Sequence, residues 1–235
     1  MKGWALTPRL RSAAALVRQD AVFADVGTDH AYLPIFLLTE GVVRFSYCTD
    51  INEGPLASAR RNAEAAGLLS RTEFLLNDGA AALLDRGVSD LAICGMGGEL
   101  IAEIIERAEW TRDKRVNLIL GPMSKQPHLR KYLYSRGYTV LKEAYTTDAG
   151  KHYVTLLATY VGECREISDT EAELGLISDG RELSPSSRDY LLGKARSYEK
   201  SVRGKELSGA DAGDEREVLA AIKGLLENGI PEGRV

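Results

Sequence analysis

An α/β fold is predicted for this chain of 235 residues: a mostly parallel sheet closed by an antiparallel hairpin, with a small helical appendage after it. Three observations predict it. Short β-rich apolar runs alternate with helix-patterned segments over the first two-thirds of the chain, as βαβ units require. Two further β-rich runs, residues 138–145 and 152–161, then follow one another with only a turn-rich segment, 146–151, between them. Beyond Gly162 the strand signal stops and the sequence becomes charged and helical, which divides the chain into residues 1–164 and 165–235.

The elements follow in order. Residues 21–26 form a first strand ended by Gly27, with a helix from Pro34; residues 42–50 form a second, with a helix over 55–66. Proline suits the first turn of both helices, where its missing N–H has no partner to lose. Residues 72–76, 90–94 and 116–120 read as three more strands, with helices near 100–108 and 128–136, for five βα units in all. The appendage reads as two helices, around 188–205 and 215–227, joined through 208–214 as an antiparallel hairpin or coiled coil. A parallel sheet with a terminal antiparallel hairpin resembles the Rossmann-like, seven-stranded sheet of class I S-adenosylmethionine-dependent methyltransferases. That is a likeness of layout.

Composition narrows the function classes. The chain is 44% hydrophobic and 27% charged, enough for a buried core. No run approaches the roughly 18 apolar residues of a membrane span, and the first residues carry no apolar signal core, so a cytoplasmic location is expected. Cys48, Cys94 and Cys164 are an odd number without a short-spaced pair, which fits neither a disulfide framework nor a zinc site; with three scattered histidines, no metal is expected. The net charge of −4 excludes a protein that coats nucleic acid by charge alone. Basic residues nevertheless cluster: Lys2, Arg9, Arg11 and Arg18; Lys125, Arg130, Lys131 and Arg136; and Arg181, Arg188, Lys194, Arg196, Lys200, Arg203 and Lys205. Such blocks either track a polyanion or are solvated helix faces.

The first βα turn reads Asp25-Val26-Gly27-Thr28-Asp29-His30-Ala31-Tyr32-Leu33-Pro34. Gly27 permits a sharp turn at the sheet's carboxyl edge, where open α/β sheets bind ligands. The second and third glycines of a dinucleotide fingerprint are replaced by Asp29 and Ala31, and two aspartates would repel a pyrophosphate. The ammonium and sulfonium groups of S-adenosylmethionine tolerate such neighbours, whereas the alternative is that Asp29 only caps a helix. Asp50, 23 residues after Gly27 at the end of the second strand, either accepts hydrogen bonds from ribose hydroxyls or caps the next helix. Asn77-Asp78-Gly79 places a carboxylate within reach of an adenine amino group and lets the backbone approach the ring, unless it is a plain turn. In Gly95-Met96-Gly97-Gly98, after the fourth strand, only backbone groups could serve a substrate. His30 is either a proton carrier or a scaffold residue.

These motifs, with Asp50-Ile51 and Gly54-Pro55-Leu56, resemble the bacterial tRNA (adenine-22-N1)-methyltransferase family. The likeness extends through residues 6–10, Leu118-Ile119-Leu120 with Pro122, Leu129-Arg130 and Gly150-Lys151 with Tyr153, so it covers nearly the whole chain. It implies methyl transfer from S-adenosylmethionine to N1 of adenine 22 in tRNA, by a monomer whose coiled-coil appendage assists. Asp29, His30 and Tyr32 are then the catalytic candidates. Asp25, Gly27, Asp50, Ile51, Asn77, Asp78, Gly79 and Gly95 are candidates for the cofactor, and Gly97, Gly98, Arg9, Arg188, Lys194 and Arg196 for the tRNA. Two positions depart from the family: Gly121-Pro122-Met123 stands where Gln-Pro-Asn is expected, and His152 where an aliphatic residue is common. Rival readings are a methyltransferase of the same fold with another substrate, a non-catalytic RNA-binding protein, and a dinucleotide-dependent oxidoreductase.

Overall fold

The computed structural model describes residues 4–179 and 183–228; Lys2 and Arg181 of the basic blocks lie outside them. The strands are β1 (Ala21–Val26), β2 (Val43–Asp50), β3 (Thr72–Leu76), β4 (Asp90–Cys94), β5 (Asn117–Gly121), β6 (Tyr138–Asp148) and β7 (Lys151–Tyr160). The helices are α1 (Pro8–Ala14), α2 (Tyr32–Thr39), α3 (Glu53–Ala65), α4 (Gly98–Arg107), α5 (Gln126–Ser135), α6 (Asp169–Leu174), α7 (Pro185–Ser208) and α8 (Gly213–Asn228). All strands join one sheet in the order β3-β2-β1-β4-β5-β7-β6, with β1 to β5 parallel and β7 antiparallel to both β5 and β6. The predicted seven-stranded layout is therefore what the chain adopts.

The period-two alternation of the central strands builds the two layers. Ala24 and Val26 of β1, Leu91 and Ile93 of β4, and Leu118 and Leu120 of β5 face a core shared with Ile101, Ile104 and Ile105 of α4. Phe23, Ala92 and Ile119, on the same three strands, face the opposite core with Leu33, Ile35 and Leu37 of α2 and Ala59 and Ala63 of α3. The first core does not stop at residue 164: Leu174, Ile177, Tyr190, Leu191, Ala195, Val218 and Ile222 belong to it.

A buried ion pair holds the C-terminal helices to the sheet. Arg130 of α5 donates through Nε to Glu143 of β6 at 2.7 Å, both side chains being 1% exposed, and through Nη1 to the carbonyl of Ala172 at 2.8 Å. The second oxygen of Glu143 accepts from the Leu176 N–H at 3.0 Å and from the Tyr145 hydroxyl. Against β7, His152 packs where Gly193 of α7 has no side chain; a Cβ there would lie 2.5 Å from the ring.

Several boundaries differ from expectation for identifiable reasons. The third βα unit has only a 3-10 turn, Ala81–Leu83, because positive φ at Gly79, Asp85 and Gly87 punctuates the connection from β3 to β4. The turn expected over 146–151 shrinks to Ala149-Gly150, whose φ values of 48° and 76° suit a tight two-residue hairpin loop; Thr146 and Thr147 pair with Tyr153 and His152. α1 and α6 had no counterpart in the sequence reading. α6 is fixed by a capping box in which Ser168 and Glu171 satisfy each other's backbone N–H groups. α7 and α8 form the expected antiparallel hairpin, with α7 starting at Pro185, after the N-cap Ser184.

Candidate functional site

Strand order reverses at β1, which has β2 on one side and β4 on the other, so the carboxyl ends of these strands open a crevice. Asp25, near the end of β1, is 6% exposed and accepts a 2.8 Å hydrogen bond from the Thr28 hydroxyl. Burial pushes its carboxyl up to about 7, and nearby Asp50 adds to the shift. No ion pair to Asp25 is present among the described residues.

The turn after β1 is tightly determined. The N–H groups of Gly27 and Thr28 both donate to the Thr49 carbonyl, at 2.9 and 3.0 Å, and Gly27 has φ 72°. The positive φ disfavours any side chain at Gly27, and a Cβ there would also displace the terminal methyl of Met96. Asp29 and Ala31 are both left-handed, at φ 49° and 55°. Between them, the carbonyl of His30 accepts a 2.9 Å hydrogen bond from Asn62 Nδ2 on α3. This presents Asp29, with its side chain 69% exposed, 3.6 Å from His30 Nε2. The His30 ring stacks on Tyr32, centroids 5.3 Å apart.

Asp50 ends β2 at 9% exposure; its Oδ1 accepts from the Asn52 N–H at 3.0 Å, and no partner of Oδ2 occurs among the described residues. Beside it, Ile51 is 63% exposed, a large apolar side chain at the crevice rim. Asn77 and Gly79 adjoin Asp50 as expected: Asn77 N–H donates to the Asp50 carbonyl, and Thr49 Oγ1 donates to the Gly79 carbonyl. Asp78 is engaged elsewhere. Both of its oxygens accept from Arg107 of α4, at 2.6 and 3.2 Å, and this guanidinium holds the carboxyl below its usual range. The pair orients the carboxylate, which is 56% exposed and keeps a second acceptor site on each oxygen for the adenine contact expected of it.

The loop after β4 is zipped to the loop after β5. Gly95 N–H donates to the Gly121 carbonyl, Met123 N–H to the Met96 carbonyl and Gly98 N–H to the Ser124 carbonyl. Gly98 is buried, and a Cβ there would collide with the Lys125 carbonyl, so its lack of a side chain serves packing. Its N–H is not free for a substrate, and the Gly97 carbonyl accepts from Ile101. Arg9, from α1, reaches this edge: its Nη1 donates to the sulfur of Met123 and its guanidinium lies 5.6 Å from the Tyr153 ring centroid.

The other basic candidates are not at the crevice. Arg188 donates to the Leu226 carbonyl at the end of α8, and Lys194 pairs with Glu173. The block at 125–136 is also spent, on Glu99, Glu143, Asp169 and Glu106. Arg196, Lys200 and Arg203 are exposed at helical spacing along one face of α7, and none has an ion pair among the described residues. A cavity of about 710 Å³ lies between α5, α6 and the α7–α8 hairpin, far in the fold from the β1–β4 crevice; its lysines 131 and 194 are both paired with acids. Asn62 and Arg107 have no place in the sequence motifs, since nothing local marks a residue that braces a distant turn.

A methyltransferase-domain family model matches residues 6–156. The chain belongs to that family. It is 34% identical over 153 residues to the Bacillus subtilis tRNA (adenine(22)-N(1))-methyltransferase, covering 65% of this chain and 64% of that one. Among solved structures it is similar to Streptococcus pneumoniae Sp1610, put forward as a tRNA (m1A22) methyltransferase, with 32% identity, a TM-score of 0.82 and coverage of 94% and 100%. Sp1610 in complex with S-adenosyl-L-methionine matches with 31% identity, a TM-score of 0.79 and the same coverage. The resemblance drawn from the motifs is borne out.

The buried Asp25 yields a test. Its carboxyl titrates near 7 in the fold against about 4 in the unfolded chain, so the fold binds the proton more tightly and gains stability at low pH. That gain is complete below about pH 4 and is lost as pH rises through 7, at about 1.4 kcal/mol per pH unit. Asp25→Asn lacks the titration. Urea denaturation from pH 5 to 8 should show the wild type losing stability relative to the variant, with the difference levelling above pH 7; parallel curves would remove the desolvated carboxyl from the account.

Proposed function

We propose that this protein transfers a methyl group from S-adenosylmethionine to N1 of adenine 22 in tRNA, acting as a cytoplasmic monomer. The observation that carries the reading is the pair of carboxylates at the first turn: Asp25 is buried with no cation beside it among the described residues, and Asp29 stands exposed four residues on. A dinucleotide would bring its pyrophosphate to this place, against two negative groups. A cationic nucleoside cofactor meets them favourably. The B. subtilis relative's named activity and the Sp1610 complex support the same cofactor and substrate.

The residues present fit that cofactor. Gly27 leaves no side chain over the turn, the second oxygen of Asp50 is available to ribose hydroxyls, and Ile51 offers an apolar surface to a purine. S-adenosylmethionine, when bound, supplies an electrophilic methyl group on a sulfonium. Asp25 and Asp50 hold the negative field that receives a cation, and Thr28 fixes the Asp25 carboxylate. Adenine N1 is a neutral in-plane nucleophile, so no base has to deprotonate it, and positive charge builds on the ring as the new bond forms. Asp29 stabilises that charge, held at the mouth by its own left-handed backbone and by Asn62 on the next carbonyl. His30 supports Tyr32 by stacking, and Tyr32, 43% exposed, offers its ring to an adenine freed from its RNA contacts.

The appendage, residues 165–235, serves the RNA backbone in this reading. Arg196, Lys200 and Arg203 have no ion pair to a protein carboxylate among the described residues, and they lie along one face, as phosphate tracking requires. Arg188 and Lys194, by contrast, already have protein partners, the Leu226 carbonyl and Glu173.

Incubation of transcribed tRNAs with labelled S-adenosylmethionine, followed by mapping of the modified base, tests the reaction. Label at N1 of adenine 22 is expected; binding of both ligands without product would leave a non-catalytic RNA-binding protein. Asp29→Asn should lower single-turnover methylation about a hundredfold with cofactor and tRNA affinities within a few-fold. Near-normal turnover would assign the charge to another group. Replacing Arg196, Lys200 and Arg203 together by alanine should weaken tRNA binding and reduce the log-log salt slope by about 0.7–0.9 per lost phosphate contact. An unchanged slope would move the RNA-holding role off α7.

A further inference from the structure

Trp4 stands where no function has yet been given to it. It precedes α1, in residues 4–7 that belong to no helix or strand, and is half-buried against the core that contains α2. Its ring centroid lies 6.2 Å from that of Tyr32, the planes inclined at 42°. Two rings that sandwich a nucleobase stand at twice the stacking separation of about 3.4 Å, roughly 7 Å apart. The observed pair is within about 1 Å of that spacing, but its planes are inclined at 42° as in a tilted aromatic pair, so a base enters between the rings when one of them turns toward parallel.

The two rings differ in how they are held. Tyr32 starts α2 and is backed by the His30 ring at 5.3 Å, while the backbone of that turn is tied to α3 by Asn62. Trp4 is carried by an irregular segment that Thr7 joins to α1 by capping it. A fixed ring faced by one on an irregular segment can open by the small amount a base needs without disturbing the carboxylates behind it.

We propose that Trp4 and Tyr32 are the two walls of a slot that clamps one unpaired purine base of the RNA substrate beside Asp29. The proposal rests on the RNA-methylating reading and names how the base is gripped. Trp4 supplies the wider ring, and stacking on an aromatic side chain holds a base extruded from its pairing without reading its edge. That leaves the edge, with N1, free to face the cofactor side of the crevice.

Two readouts test the slot separately from the reaction. In a Trp110→Phe background Trp4 is the single tryptophan, and titration with a short adenine-containing single-stranded RNA should quench its emission. Trp4→Ala in the otherwise native chain should lower kcat/KM for tRNA methylation about ten- to hundredfold, the scale of one lost base–aromatic stack. Trp4→Phe should recover most of the loss, and affinity for S-adenosylhomocysteine should be unchanged in both, which checks folding. Quenching with no methylation by the wild type would keep the slot and overturn the reaction. Full methylation by Trp4→Ala, or emission indifferent to RNA, would overturn the slot and keep the reaction.

Discussion

The structure turns on a carboxylate taken out of water without a partner of opposite charge. Asp25 occupies the end of β1, between β2 and β4, where parallel strands are covered on both faces and no lysine or arginine reaches it among the described residues. Its hydrogen bond from Thr28 offsets only part of the desolvation, so the group keeps its proton up to about pH 7. A cation entering the crevice supplies what the protein withholds. Phosphate groups, the usual occupants of a glycine-rich turn at this place, are disfavoured by the exposed Asp29 and, above about pH 7, by the ionised Asp25 as well.

Around that carboxylate the backbone is arranged by close approaches. Gly27 admits Met96, Gly98 admits the Lys125 carbonyl, and Gly121 lies so near Cys94 that a Cβ would stand 2.9 Å from the sulfur. The loops after β1, β4 and β5 are thereby locked to one another, which fixes the exposed Asp29 and Tyr32 relative to the buried Asp25. The appendage is tied on just as firmly. Arg130 and Glu143 are both buried, and removing either would strand a charge in the core, so α7 packs on the same core as the sheet that forms the crevice.

The sheet was legible because its strands are encoded locally: β3 and β4 were read to the residue from apolar runs bounded by turn residues. The hairpin tip was misjudged because Thr146, Thr147 and Asp148 are polar, although threonine also suits a strand and only Ala149-Gly150 makes the turn. At the site, Asp25, Gly27, Asp29 and Asp50 were legible from the spacing of one turn against the next strand end. The pairing of Asp78 with Arg107 was not legible, since the partner is 29 residues away and pairing across that distance leaves no sequence trace. Arg188, Lys194 and the block at 125–136 show the same limit: composition reveals a cluster of cations, and only the fold tells which already have a carboxylate or, for Arg188, a backbone carbonyl as partner. Trp4 carried no motif at all and acquires meaning solely from its distance to Tyr32.

An acidic crevice selects a cationic nucleoside over a dinucleotide. Calorimetric titration of the intact protein with S-adenosylmethionine and with NAD, in one buffer at pH 7.5 (about half a unit above the Asp25 midpoint), measures that selection directly. The account predicts saturable binding of S-adenosylmethionine and at least a hundredfold weaker binding of NAD. Equal or tighter binding of NAD would contradict it.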